Sequence, residues 1–308
     1  MPAKKKNRGL KPLRRFDFGL ILERMDGALI NVERDLQRLV KRAEAKGDTK
    51  SARKVALLMV LVRFATNSFM SVRYLCADTP EDPKRKMNYA LSVPAINRQL
   101  LDLLFSIVYM FDDINVRSDM YERAGWREAY EQYQKEKTAF SKDPEWRPYF
   151  ENVKSFLSNM EKALQITTNE RRNPKTIPYW KHPFELKDEQ TASRPFLRYL
   201  NNWLYHDTSA QAHLSCGGLI MISPFLLADL VGGQDQELVE NRAMPQYRYL
   251  HITRTVIVTL AIASEMDAYF RLGNEERMKY IWNVLAEHSE EAKEMWQHRY
   301  EHLWDRKK

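Results

Sequence analysis

AINRQLLDLLFSIVYMF, residues 95–111, decides the fold. Ile96, Leu100, Leu101, Leu103, Leu104 and Phe105 surround Arg98 and Asp102 and leave almost no polar face. A helix that is apolar nearly all round belongs inside a protein. The segment therefore predicts a buried helix, over about 87–114 and started or kinked at Pro94, with neighbours packed around it.

Working outward, the neighbours are helices too. Leu22, Met25, Leu29, Val32, Leu36, Leu39 and Ala43 recur in steps of three and four, the stripe of an amphipathic helix over about 17–46. Gly47-Asp48 ends it, and a second helix runs over about 50–77. The two read as an antiparallel hairpin. Thr79 to Pro83 is a turn. Helices follow over about 117–140, 144–166, 191–207, 208–231, 246–271 and 275–305, the last carrying Trp282, Trp296 and Trp304. Residues 167–190 break the pattern with three prolines, and Tyr179, Trp180 and Phe184 predict a long loop that packs down. Only 10 glycines stand in 308 residues, which disfavours many tight turns and short strands. The expected class is all-α: a multi-helix bundle with long antiparallel helices and one packed irregular loop. Residues 16–308 read as one helical domain, made of a hairpin (16–78), core helices (87–231) and a C-terminal helical pair (245–305).

Charge is concentrated at one end. Lys4, Lys5, Lys6, Arg8, Lys11, Arg14 and Arg15 precede the first acid, Asp17, and account for all but one of the net charge of +8. Such a tail suits nucleic acid or an acidic protein, against the plainer reading of a solvated, flexible terminus. No apolar run follows these charges, so a signal peptide is not expected. Cys216–Val231 and Val256–Ala263 are the two most apolar stretches. Both fall short of the ~20 residues of a spanning helix and read as core helices, so no membrane contact is expected. Cys76 and Cys216 form no CxxC pair, which disfavours a zinc or redox motif and fits a reducing, cytoplasmic setting.

Chemistry would sit where polar residues interrupt apolar helices, since burial without partners is costly. Arg98 and Asp102, at i and i+4, form either a structural ion pair or an arginine facing a pocket. Tyr205, Ser209 and His213 share one face if their helix is continuous, and the imidazole could act as a general base. No nucleophile-elbow glycines surround Ser209. Glu265 and Asp267 end an apolar helix and could pair with Arg98 or Arg254. Glu294, His298 and His302 repeat at four-residue spacing, more simply a solvated face than a metal site. Phosphate loops, dinucleotide fingerprints, EF-hand loops and Glu-x-x-His pairs are absent, and no cofactor or metal is expected.

The run from Pro94 to Tyr121 holds Arg98, the pair Asp112-Asp113, then Arg117 and Tyr121; Tyr205, Ser209 and His213 follow before Gly217-Gly218. Over about residues 50–230 this resembles the helical bacterial family called domain of unknown function 5677. That family usually has Glu four residues after the arginine, where this chain has Asp102. The resemblance implies an all-α fold with Arg98 and His213 facing a common interior site, and no established activity. Such families look similar to HEPN ribonuclease toxins and abortive-infection proteins. The HEPN spacing of four to six residues between Arg and His does not occur; Arg198 and His206 have seven between them.

Two functions remain in view. One is a helical interaction or sensor protein, in a bacterial defence or stress module, with a basic tail for its partner and room for a homodimer on the first helix. The other is a metal-independent ribonuclease in which His213 is the base and Arg98 stabilises phosphate charge, with Tyr205, Ser209 and Asp102 around them.

Overall fold

The computed structural model describes residues 18–77, 89–180, 191–205, 208, 209, 212, 216–231 and 237–305. Among them the architecture is all-α, a bundle of packed helices with no strand. The basic tail, His213, Phe184 and the turn from Thr79 lie outside the described residues.

Helix α1 (Phe18–Ala45) buries Ile21, Met25, Ala28, Leu29, Val32 and Leu36, the stripe its spacing predicts. Gly47, at φ +71°, turns the chain through a conformation other residues adopt at a cost. Asp48 then caps α2 (Thr49–Cys76) by accepting from the Ser51 amide at 3.0 Å. Leu58, Val62, Ala65 and Phe69 of α2 join the α1 stripe in the main core.

Helix α3 (Val93–Asp112) begins, rather than kinks, at Pro94, whose missing amide costs nothing in a first turn. Asp113 caps α4 (Ile114–Phe140) through the Val116 amide. Helix α5 (Arg147–Leu164) packs against α4, where Trp126, Tyr133, Leu157 and Leu164 form a smaller second core with Ile177. The irregular region contains a capping-box turn of helix, α6 (Thr168–Arg172), and packs down where its described residues end: the Trp180 indole donates to Ser106 at 3.2 Å. Helix α7 (Arg194–Leu200) runs into a π-helical turn, Asn201–Tyr205. Helices α8 (Cys216–Val231) and α9 (Met244–Phe270) follow.

Helix α9 is the axis of the bundle. Every residue from His251 to Asp267 is buried, against α1, α2 and α3. Asn97 pins α3 to it: its amide donates to the His251 carbonyl at 3.0 Å, and its Oδ1 lies 2.6 Å from the Thr255 hydroxyl. The C-terminal region holds two helices where one was expected. Ser289 breaks it and caps the second, giving α10 (Glu275–His288) and α11 (Glu290–His298). The break lets the chain fold back, so that Trp282 stacks on Tyr300 at 4.6 Å and donates to Ser264 at 3.1 Å.

One stretch differs from expectation in its exposure. Helix α8 is not a core helix: Leu219, Ile220, Leu226 and Leu227 point outward. Helix α2 and residues 90–112 are long and apolar enough, by length and composition, to cross a membrane. Much of each is buried here, as the core helices of a bundle also are.

Candidate functional site

Positions 98, 102, 105, 109 and 112 recur at four, three, four and three residues and so lie on one face of α3. Trp180, Ser193 and Tyr205 cover that face. Tyr205 places its ring over the Arg98 guanidinium, 3.3 Å from the centroid, and meets Phe105 edge-on at 6.0 Å. Trp180 meets Tyr109 at 5.5 Å and Tyr121 at 5.0 Å. Ser193 donates to the Asp112 carboxylate, which also accepts from Arg117 at 3.0 Å. Arg117 lies over Tyr109, 3.9 Å from its centroid, and donates to the Tyr109 carbonyl at 2.7 Å. Burial pushes the Tyr121 phenol above its ordinary range, and Glu128 adds to that.

Arg98 and Asp102 form an ion pair at the edge of the core; the side chains are 12% and 40% exposed. Arg98 Nε is buried with no hydrogen-bond partner among the described residues. The structure thus brings Arg98, Asp102 and Tyr205 together. Of the row Tyr205, Ser209 and His213, Tyr205 closes a π-helical turn, Asn201–Tyr205, and the rest of the row lies partly outside the described residues. Ser209 is helical and half-buried, and the Thr208 hydroxyl beside it is 3.3 Å from the Tyr205 carbonyl. His213 lies outside the described residues.

Where the face of α3 ends, a second polar cluster begins. Asp112, Glu265, Arg271 and Arg299 line a cavity of about 160 Å³, closed by Phe111 and Tyr269. Glu265 pairs with neither Arg98 nor Arg254. It accepts from Arg299 with both oxygens, and the side chains are only 3% and 5% exposed. Burial alone would lower the Arg299 pKa, but the Glu265 charge and hydrogen bonds, with help from Asp112, outweigh it and hold Arg299 above its ordinary value. Arg254 instead grips Glu291 of α11, at 2.8 and 3.1 Å. Asp267 accepts from the Trp304 indole at 2.9 Å and the Asn274 amide at 2.8 Å, tying the chain end to α9.

Arg299 and Ser193 were missed as partners because Arg299 stands 34 residues from Glu265, and Ser193 stands 81 residues from Asp112. No periodic pattern links such positions. The acids themselves were visible as charges inside apolar helices.

Chemically, the seam from Arg98 to Arg299 is a chain of neutralised charges. Asp102 accepts from Arg98, Asp112 from Arg117 and Glu265 from Arg299. Among the described residues, no group of three or more His, Cys, Asp and Glu is placed to hold a metal ion. The expected Glu294–His298–His302 row is interrupted, since α11 ends at His298.

A separate, open cavity of about 620 Å³ lies between the end of α2 and the start of α9, lined by Phe18, Met70, Arg73, Tyr74, Arg248 and Tyr249 among others. Arg73 is paired with Asp26, and Arg248 donates to the Cys76 carbonyl. Burial raises the Cys76 thiol to about 11, with Arg248 pulling it slightly down.

No family model, curated protein or solved structure matches the chain.

Proposed function

We propose that this chain is a non-enzymatic helical interaction protein, in which the polar seam is structural and the basic tail reaches an anionic partner. One observation carries the reading: the Arg98 guanidinium is paired with Asp102 and lies under the Tyr205 ring, 3.3 Å from its centroid. An arginine that must stabilise phosphate charge in a transition state has to meet that charge directly. Here the planar face and one edge are already occupied. Core packing of α2 and α3 supports a cytoplasmic protein over a spanning one. Kinship with the 5677 family and a place in a bacterial defence module belong to the same proposal, resting on Arg98, Asp112, Arg117, Tyr205 and Ser209.

Nuclease activity is the direct test. Labelled RNA should stay intact with the purified protein, with and without His213→Ala. Cleavage by the parent that the variant loses, its circular dichroism unchanged, would replace this reading with the ribonuclease. For the tail, changing Lys4, Lys5, Lys6 and Arg8 to Gln should weaken binding to a polyanion. It should also flatten the salt dependence by about 0.9 in log–log slope for each phosphate that is no longer neutralised. Unchanged binding would exclude the tail as the anchor.

A further inference from the structure

We infer that the anionic partner is a lipid bilayer surface, bound by the basic tail together with the outward face of α8. The inference rests on the interaction reading above and names its partner.

Helix α8, CGGLIMISPFLLADLV, contains no Lys, Arg or Glu, and Asp229 is its one charge. Ile222 is buried against the body, yet Leu219, Ile220, Leu226 and Leu227 are exposed, Ile220 to 66%. Their spacing of one and seven residues puts them in one outward stripe. Solvent-facing stripes of a soluble helix are ordinarily polar, and a contiguous apolar one marks a contact surface.

Size argues against a second protein on this stripe alone. Sixteen residues make a helix about 24 Å long and about 10 Å wide, so the face offers on the order of 240 Å². A stable protein interface takes ~800 Å² per partner. A bilayer demands no matching surface. It accepts a shallow apolar helix lying in its plane, and at 16 residues α8 is shorter than the ~20 that span.

Charge supplies the second half. Seven basic residues lie within the first 15 positions. In sequence they precede Phe18, whose ring is 5.4 Å from that of Tyr249 in the first turns of α9. Helix α8 is seated on the same turns, with Phe225 5.1 Å from Tyr247. The start of α1 and helix α8 therefore both pack on the first turns of α9, and Tyr249 and Leu250 are exposed there as well. Weak apolar insertion plus a polybasic segment is the two-signal arrangement that holds a peripheral protein on an anionic leaflet. Nucleic acid or an acidic protein would satisfy the tail and leave the stripe uncovered.

The test is co-sedimentation of the full-length protein with phosphatidylcholine vesicles, and with vesicles that also contain phosphatidylserine, at low and high salt. Binding is expected only with phosphatidylserine, and high salt should release it. Ile220→Asp with Leu227→Asp should lower partition about tenfold or more while the melting curve stays unchanged, because both side chains are at the surface. No partition at low salt overturns the inference. So does equal partition of the double variant, which would leave the tail as a purely electrostatic anchor. A dimer in light scattering that the same variant abolishes would give the stripe to a second copy and also overturn it. Tail-dependent polyanion binding without vesicle binding would remove the lipid and keep the interaction reading, whereas RNA cleavage would remove the latter whatever the vesicles do.

Discussion

Two arginine–carboxylate pairs stand at the ends of the polar seam and differ in almost every respect that sets their energy. Arg98 and Asp102 are one helical turn apart on α3, and the carboxylate keeps 40% of its side-chain surface in solvent. Arg299 and Glu265 come from elements 34 residues apart and are sealed at 5% and 3% exposure. The first pair asks little of the fold: water shares the charge, and the aromatic ring of Tyr205 shields the rest. The second exists only because the fold excludes water, and each partner is the other's replacement for solvent. A short-range pair is a property of a helix, whereas a buried long-range pair is a property of the assembled bundle.

The sharpest way to break the comparison is to remove one carboxylate from each pair. Glu265→Ala should cost about 3–5 kcal/mol in urea unfolding, since it strands a buried guanidinium. Replacing both partners, Glu265→Leu with Arg299→Met, should return most of that loss. A small cost for the single change would mean that Arg299 reaches water. The middle effect concerns pH. Arg299 is held above its ordinary pKa and stays charged through the alkaline range. Alkaline loss of stability must then come from other groups, of which Cys76 is one. Its thiol is raised from 9.0 to about 11 in the fold. Its contribution is therefore intact below pH 9 and fades as pH rises toward 11. The full loss amounts to on the order of 2–3 kcal/mol relative to a Cys76→Ala variant. Melting curves of the two proteins across that range should diverge, and parallel curves would show that the thiol ionises freely. The smallest effect is expected from Asp102→Ala, under about 1 kcal/mol, because a half-exposed i,i+4 pair is screened by solvent. A loss as large as that at Glu265 would erase the distinction between the two sites.

Much of this was legible in the residues. The all-α class, the α1–α2 hairpin and the burial of Val256–Ala263 all follow from apolar spacing, which α-helical geometry converts directly into a buried face. Arg98 and Asp102 could be paired on paper for the same reason. The π-helical turn at Asn201–Tyr205 could not be read this way, because such a turn is set by what packs around it. The break at Ser289 is written locally, as a capping serine before two glutamates, but helical spacing alone carries the pattern through it. Helix α8 misled for a different reason. Apolar composition states that a segment prefers to leave water, but not whether this chain provides the surface that covers it.

By itself, the sequence determined that the chain folds as packed helices, where most of them begin and end, and that its basicity lies in its first 15 residues. Helical periodicity, capping and charge are local properties, carried by residues a few positions apart. Only the tertiary structure decided that Glu265 belongs to Arg299, that Tyr205 lids Arg98, and that Leu219, Ile220, Leu226 and Leu227 stay exposed. Those outcomes depend on which surfaces meet and which are left over when the helices compete for one another's faces. That competition is settled over the whole chain at once.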